Sequence, residues 1–503
     1  MQNLENATSV DLDEAIKLGA VDGSFFAETF LPETARQKSP AFHREIDKLL
    51  DSQHRMVNIL AFRGSAKTTK CRVFTLRRIA YGLSKTVLYI SKSEPHAIRS
   101  VSWLKGKIEY NNNIRNAFGL VPGSKWQDTE MEITQRTTNQ RAWVMAAGIG
   151  GSVRGVNRDD WRPDLIVLDD VLDDENCSTA EQREKIENLI YGAVLESLTP
   201  ASENPQAKMV SLNTCQNKED YAVKALSSPA WASGVFSCWT RKTANLRLHE
   251  QESIWEDRFP TEALRQEKQT AISLNRLSTF LREKELKLVS PEQSTFKIGW
   301  LNKYRGTPLT DQMLVCYAID PVPPPSDKQL EKGLVGKDYE AHVVMGKRGK
   351  NIYLLDYALN RGHNPDWSTK TLFEMYRKWQ PWKVRVESVA YQRTLLWIVR
   401  NAMDVQRIWF PVESWDDRRK KFVRISALGP IANSGRLWVN EKQIEFIEQY
   451  TTYPMVAHDD LLDAASAAAA ALEDVDMTDE EAFPGMTAIE NTGYKPINIQ
   501  GAP

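Results

Sequence analysis

The chain has 503 residues, more than one hydrophobic core usually supports, so two domains with extensions are expected. Its 65 basic and 66 acidic side chains leave a net charge of −1, which argues against a protein that coats nucleic acid through bulk electrostatics. The longest small-apolar run, Ala464–Leu472, is far shorter than the roughly 20 residues of a membrane helix, and Cys71, Cys177, Cys215, Cys238 and Cys316 lack the spacing of a disulfide framework or zinc site.

Residues 1–24 read as a weakly ordered lead; Met1–Ile16 is acidic and polar without the basic start and apolar centre of a secretory signal, so a cytoplasmic location is expected. From 25 to 255, apolar runs alternate with helical patterns: Val57–Phe62, Thr86–Ile90, Ala142–Ala146, Leu165–Leu168 and Lys208–Asn213. This alternation predicts an α/β domain with a mostly parallel sheet and helices on both faces.

The first of these strands runs into AFRGSAKTT, Ala61–Thr69, and a helical pattern follows over Thr68–Tyr81. A loop between strand and helix aims backbone N–H groups of Arg63, Gly64, Ser65, Ala66, Lys67, Thr68 and Thr69 at an anion. Lys67 is then free to reach β/γ-phosphates and Thr68 to hold Mg²⁺, as in a phosphate-binding loop. Ala61 and Ala66 stand where the common pattern has glycine, which leaves Gly64 as the loop's glycine.

Such a loop needs an acidic partner on a buried strand, expected beside the loop strand, and PDLIVLDD at Pro163–Asp170 supplies one. Asp169 would meet the metal, and Asp170, or failing it Glu175, would orient or deprotonate the attacking water. Gly148–Arg158 is a glycine-rich loop whose Arg154 or Arg158 could bring charge to a phosphoryl-transfer transition state. MVSLNT ends in Asn213 and Thr214, where a third strand could sense the γ-phosphate, and Phe42 or His43 of PAFHRE could meet adenine.

In order and approximate spacing, AFRGSAKTT, GSVRG, RPDLIVLDD and SLNT resemble the large terminase subunits of tailed bacteriophages, a family that tolerates a deviant phosphate loop with an arginine inside, as Arg63 is here. The resemblance implies that Lys67 and Thr68 bind ATP with Mg²⁺, that Asp169 and Asp170 form the acidic pair, and that Thr214 lies in the coupling element. Arg154 looks like the family's trans-acting finger.

Residues 256–311 are charged and helical in pattern without clear strands, and read as a linker between domains. A second domain is expected over 312–473. Strand Leu314–Ile319 ends at Asp320, the proline-rich loop Pro321–Lys337 follows, and Ala341–Gly346 with Asn351–Tyr357 reads as a hairpin. Then come a helix near Trp367–Trp379, a strand Lys383–Val386 into Glu387, a helix near Tyr391–Ala402, strands Arg407–Pro411 and Arg436–Val439, and a helix Leu461–Glu473. Residues 474–503 have little to bury and are expected to be disordered in isolation.

Two-metal nucleases need carboxylates converging on ions about 3.5–4 Å apart. Asp320, Glu387 and the cluster Asp459, Asp460 and Asp463 supply such a set, with Asp320, Glu387 and Asp460 as the catalytic choice. Their order is similar to the ribonuclease-H-like nuclease half of the same terminase family, where Asp338 also matches an acidic position. The basic run DDRRKKFVR at Asp416–Arg424, near Trp409, Phe410, Trp415 and Phe422, suits a phosphate backbone and its bases, or a solvated helix face.

The resemblance implies an ATP-driven DNA-packaging motor with a nuclease using Mg²⁺ or Mn²⁺, two ions. Its implied partners are double-stranded DNA, the portal protein of the procapsid, a small terminase subunit and further copies of itself in a ring, in the host cytoplasm with no membrane. Two alternatives stand beside it. One is a helicase or recombination-type ATPase, which shares the first constellation; the other is a non-catalytic nucleotide-binding capsid or portal-docking protein.

Overall fold

Leu165–Leu168 are completely buried, as a strand covered by helices on both faces must be, and such strands build the first of two sheets. The computed structural model describes residues 9–151, 161–173, 175–288, 294–306, 308, 312–323, 339–361, 364–387, 392–415, 417, 419–456 and 458–475. The chain divides into two units, Met1–Gln293 and Ser294–Pro503.

In the first unit, helices α1 (Ser9–Val21), α2 (Gly23–Phe30) and α3 (Ala41–Leu50) precede β1 (Met56–Ala61), and α4 (Lys67–Ala80) follows the loop. Next come β2 (Thr86–Ser91), α5 (Glu94–Tyr110), β3 (Leu120–Trp126), β4 (Glu130–Gln135), β5 (Gln140–Gly148), β6 (Leu165–Asp169), β7 (Lys208–Asn213) and β8 (Trp231–Phe236). The sheet order is β3-β4-β5-β2-β6-β7-β1-β8, parallel from β5 to β8 with an antiparallel end at β3 and β4. The acidic strand β6 is therefore not beside β1 as expected; β7 lies between them and pairs with both.

Two further expectations are corrected. The lead is helical from Ser9, and it is tied down where Tyr81 donates its hydroxyl to the Ile16 carbonyl at 2.5 Å. The stretch 256–311 is no separate linker. Phe259 packs on Phe62, and the Glu283 carbonyl accepts the Arg63 N–H at 2.8 Å, so its first part belongs to the first unit. Its later part contributes a strand to the second.

That second unit holds β9 (Asn302–Tyr304), β10 (Leu314–Asp320), β11 (Glu340–Arg348), β12 (Asn351–Asn360), β13 (Lys383–Glu387), β14 (Val412–Trp415) and β15 (Leu437–Asn440). Their order is β14-β13-β10-β11-β12-β15-β9, with β10-β11-β12 antiparallel and the other pairs parallel. Helices Pro365–Trp379 and Gln392–Gln406 cover one face through Leu372, Phe373, Leu395 and Val399. The final helix, Asp460–Glu473, lies on β10 and β11, and its buried alanines allow a close approach. The strand expected at Arg407–Pro411 forms at Val412–Trp415 instead. Arg407 takes a positive φ of 53°, Pro411 has no N–H for a ladder, and Phe410 is buried against Tyr376.

Among the described residues no helix is long and apolar enough to cross a membrane. The expected disordered tail lies outside them from residue 476 onward.

Candidate functional sites

The loop after β1 is shaped by two left-handed residues, Gly64 at φ 94° and Ala66 at φ 65°. A Cβ on Gly64 would stand 2.7 Å from the Phe259 ring, so glycine is required there for space as well as for φ. Ala66 is the N-cap of α4 and offers no side-chain cap, so the first N–H groups and the positive end of the helix dipole remain for an anion.

At this loop Lys67 Nζ lies 3.1 Å from Thr214 Oγ1 and 3.1 Å from Asp170 Oδ1. Thr68 donates its hydroxyl to Asp169 Oδ1 at 2.8 Å, while Tyr89 donates to Asp169 Oδ2 at 3.1 Å. Burial, reinforced by the charge of Asp170, raises the Asp169 carboxyl above its ordinary range. A divalent cation would relieve that penalty. The Ser65 hydroxyl is buried with no hydrogen-bond partner, which suits an incoming phosphate oxygen. The donor set thus fits a nucleotide with its metal.

Lys67, Thr68, Asp169, Asp170 and Thr214 line a cleft of about 400 Å³. It also contains Arg72, Lys92, His96 and Arg99, none of them singled out in the sequence. Arg72 follows Thr68 by one helical turn, so the spacing could have revealed it. The other three follow β2, at the carboxyl edge of the sheet where ligands of open α/β folds bind. Arg63 also lines this cleft, with its side chain 78% exposed and 3.9 Å from Glu283. Glu175 is exposed and its N–H is bound to Asp173 at 3.1 Å. Arg154 and Arg158 lie outside the described residues.

On the other side of the start of α4 is a second cavity, about 410 Å³, with Ala66, Thr69 and Lys70 on one wall and Arg36, Gln37, His43, Trp255 and Arg258 among the rest. His43 Nε2 lies 2.8 Å from the Ser65 carbonyl. Burial brings its pKa down to about 4, so the ring is neutral near pH 7 and its Nε2–H donates to that carbonyl. His43 therefore braces the loop. Phe42 is not available to stack on a base, because it is buried among Phe62, Phe236 and Trp255.

The segment that accepts the Arg63 N–H is itself anchored by buried charge. Lys268 Nζ meets Glu285 Oε1 at 2.7 Å, with side chains 0% and 1% exposed, and Trp239 donates to the same oxygen at 2.9 Å. Burial alone would raise the Glu285 carboxyl, but Lys268 and Lys287 outweigh it and hold it below the usual carboxylate range.

In the second unit the parallel pairing of β10 with β13 matches Ile319 to Val386, which sets Asp320 and Glu387 side by side at the strand ends. Asp463, on the first turn of the final helix, completes the group. One oxygen from each of Asp320, Glu387 and Asp463 lies within 4.8 Å of the others. Burial and the neighbouring Glu387 push the Asp320 carboxyl well above its usual range, and burial raises that of Asp463. Asp463 Oδ1 is buried without a hydrogen-bond partner. A buried acidic group with an orphaned oxygen fits a divalent cation.

Of the three helix-start acids, Asp463 rather than Asp460 joins that group. Asp459 and Asp460 instead face Lys421, at 2.7 and 3.7 Å. Within the basic run Arg419, Lys420, Phe422 and Val423 are exposed, as a solvated face would be, while Arg424 is buried. The helix Lys421–Ser426 turns Lys421 to within 3.6 Å of Asp463, and Arg424 to 2.6 Å from both Glu387 and Asp463.

Asp338 lies outside the described residues. Behind the site, Glu340 Oε2 accepts the Val322 N–H at 3.3 Å and Glu340 Oε1 lies 2.8 Å from His342 Nε2, whose Nδ1 is hydrogen-bonded to the Tyr317 hydroxyl. This buried chain steadies the turn after Asp320. Its signal in the sequence is Glu340 and His342 alternating just ahead of the apolar run Val343–Met345.

A two-unit chain with a cleft at the strand-to-helix loop of the first sheet and converging acids on the second has the donor sets of a protein that could hold a nucleotide and divalent metal. Residues 325–472 match the family described as the terminase RNaseH-like domain. That match falls within the second unit, and the resemblance to large terminase subunits is borne out there. Among solved structures, the large terminase of bacteriophage HK97 is 10% identical, covering 90% of this chain and 99% of its own, with a TM-score of 0.38. A large terminase from a thermophilic bacteriophage is 11% identical over 84% and 96%, TM-score 0.30. The large terminase nuclease of a second thermophilic phage, G20c, is 13% identical over 35% and 97%, TM-score 0.26. No curated protein matches the sequence.

Proposed function

We propose that the chain is the motor and nuclease subunit of a viral DNA-packaging machine. The first unit hydrolyses ATP to drive double-stranded DNA into a procapsid, and the second cuts concatemeric DNA. The observation that carries this reading is the meeting of Lys67, Thr68, Asp169, Asp170 and Thr214 at one sheet edge in a chain whose residues 325–472 match the terminase RNaseH-like domain.

The start of α4 and Lys67 receive the β- and γ-phosphates, and Gln37 with Arg36 lines the cavity beside Thr69 for the base. Thr68 and Asp169 are the residues that would hold Mg²⁺, which when bound neutralises phosphate charge. Asp170 leaves Lys67 as the phosphates take the lysine over, and then orients water and accepts its proton. Thr214 reports the state of Lys67 to β7, and Arg154 acts on the site of a neighbouring subunit.

In the second unit Asp320, Glu387 and Asp463 would hold two Mg²⁺ or Mn²⁺ ions, which when bound activate water and stabilise the leaving oxygen of the DNA backbone. The working assembly is a ring of copies docked on the portal protein of a procapsid in the host cytoplasm, fed by a small terminase subunit.

Purified chain, DNA and procapsids test the reading together. ATP-dependent protection of DNA from added nuclease, with Mn²⁺-dependent nicking by the chain itself, is expected. No ATP turnover and no nicking would favour a non-catalytic docking protein, while turnover with translocation but no nicking would favour a helicase-type ATPase.

A further inference from the structure

Lys421 and Arg424 stand where the nuclease reading needs metal. Arg424 is 10% exposed and bridges Glu387 Oε1 and Asp463 Oδ2, both at 2.6 Å. Lys421 is 41% exposed and reaches Asp459, Asp460 and Asp463 at 2.7, 3.7 and 3.6 Å. Two protein cations thus engage oxygens of four acids, while Asp463 Oδ1 is left buried and unpartnered. A divalent ion bound through carboxylate oxygens at about 2.0–2.6 Å competes directly with these ion pairs.

Resting on the nuclease reading, we propose that Lys421 and Arg424 are displaceable occupants of this site. The phosphates of docked DNA draw them off the acids, so that the acids take up divalent cation readily only when a duplex is present.

The chemistry favours such an exchange. An uncompensated group of five acids would repel a polyanion, and the two cations mask that charge until the duplex arrives. Guanidinium and ammonium groups bind phosphate as well as they bind carboxylate, and Arg does so with a fork of donors. Lys421 is partly open to solvent, and Lys420 and Phe422 beside it are exposed, so a backbone can reach this helix from outside. Because the cations pair with either phosphate or carboxylate, DNA and metal reinforce each other's binding, and the coupling is reciprocal. Lys421 and Arg424 are positioning residues here; they set when the acids are free.

The test is Mn²⁺ binding to the full chain, read from the free-ion EPR signal with and without a short duplex carrying uncleavable linkages. The Asp320→Asn chain under the same conditions subtracts ions held elsewhere or by the DNA. In the wild type the Asp320-dependent affinity should rise about tenfold when the duplex is added, a typical size for site-to-site coupling. The Lys421→Met, Arg424→Gln chain should bind Mn²⁺ with the higher affinity from the outset and show no further gain.

A wild-type affinity that ignores the duplex overturns the proposal, and that arm needs no variant that must fold. A double variant that binds Mn²⁺ no better than wild type also overturns it. If Asp320→Asn removes no Mn²⁺ under any condition, the nuclease reading itself fails, and the proposal falls with it for a distinguishable reason.

Discussion

Lys67 Nζ and Asp170 Oδ1 are 3.1 Å apart, so the residue that would grip phosphate and the residue that would activate water hold each other. Asp170 follows β6 at a positive φ of 47°, a conformation that aspartate tolerates, and its half-exposed carboxylate lines the cleft. Removing its charge frees Lys67 and removes the proposed base. Asp170→Asn should therefore lower the ATPase kcat by about 10²–10⁴-fold while leaving ATP affinity undiminished. Steady-state turnover beside fluorescent-nucleotide binding checks this; a loss of affinity with kcat intact would assign Asp170 to binding.

Substitutions at the two left-handed loop positions should have opposite signs. Ala66 carries a left-handed penalty that glycine would not, so Ala66→Gly should stabilise the first unit by about 1 kcal/mol. Gly64→Ala meets both a φ of 94° and the Phe259 ring, and should destabilise by about 1–3 kcal/mol. Denaturant midpoints of the two variants decide the matter.

His43 gives the first unit a pH dependence. Its pKa is about 4 in the fold, below the unfolded value, so the unfolded chain binds more protons between the two. The stability contributed by the neutral ring is complete above about pH 6.5 and falls as pH drops toward 4, by on the order of 3 kcal/mol in full. His43→Gln should flatten this part of the pH profile of unfolding and should loosen ATP binding as the Ser65 brace weakens. An unchanged profile would remove His43 as its source.

Lys268→Met leaves Glu285 buried with Lys287 as its remaining cation and should destabilise the first unit by about 3–5 kcal/mol. Lys268→Met with Glu285→Gln should recover part of that loss, because no buried charge is then left short of its partner. Thermal unfolding of the single and double variants separates this ion pair from simple packing.

The first site is legible where chemistry is local. An apolar run that stops at Asp169–Asp170, and another that opens into Gly64–Thr68, carry their meaning in adjacent residues. Strand order does not, since it is settled by pairing between distant segments, and so nothing in the sequence places β7 between β1 and β6. Helical spacing does not separate Asp460 from Asp463, because both lie within one turn and share a face with other acids; the packing of the final helix on β10 selects Asp463. Nor does a basic run announce its partner. Lys421 and Arg424 suit phosphate and carboxylate equally, and only the fold shows which they meet. The Arg407–Pro411 run reads as a strand because Ile408, Trp409 and Phe410 are apolar, but that character reflects burial of Phe410 rather than a ladder.

If one chain carries two separate catalytic sites, paired assays on Lys67→Ala and Asp320→Ala will separate them. Each variant is assayed for ATP turnover and for Mn²⁺-dependent DNA cleavage in the full chain. Lys67→Ala should abolish ATP turnover and spare cleavage, and Asp320→Ala should abolish cleavage and spare ATP turnover. Equal loss of both activities in both variants, with the fold intact, would contradict separate sites.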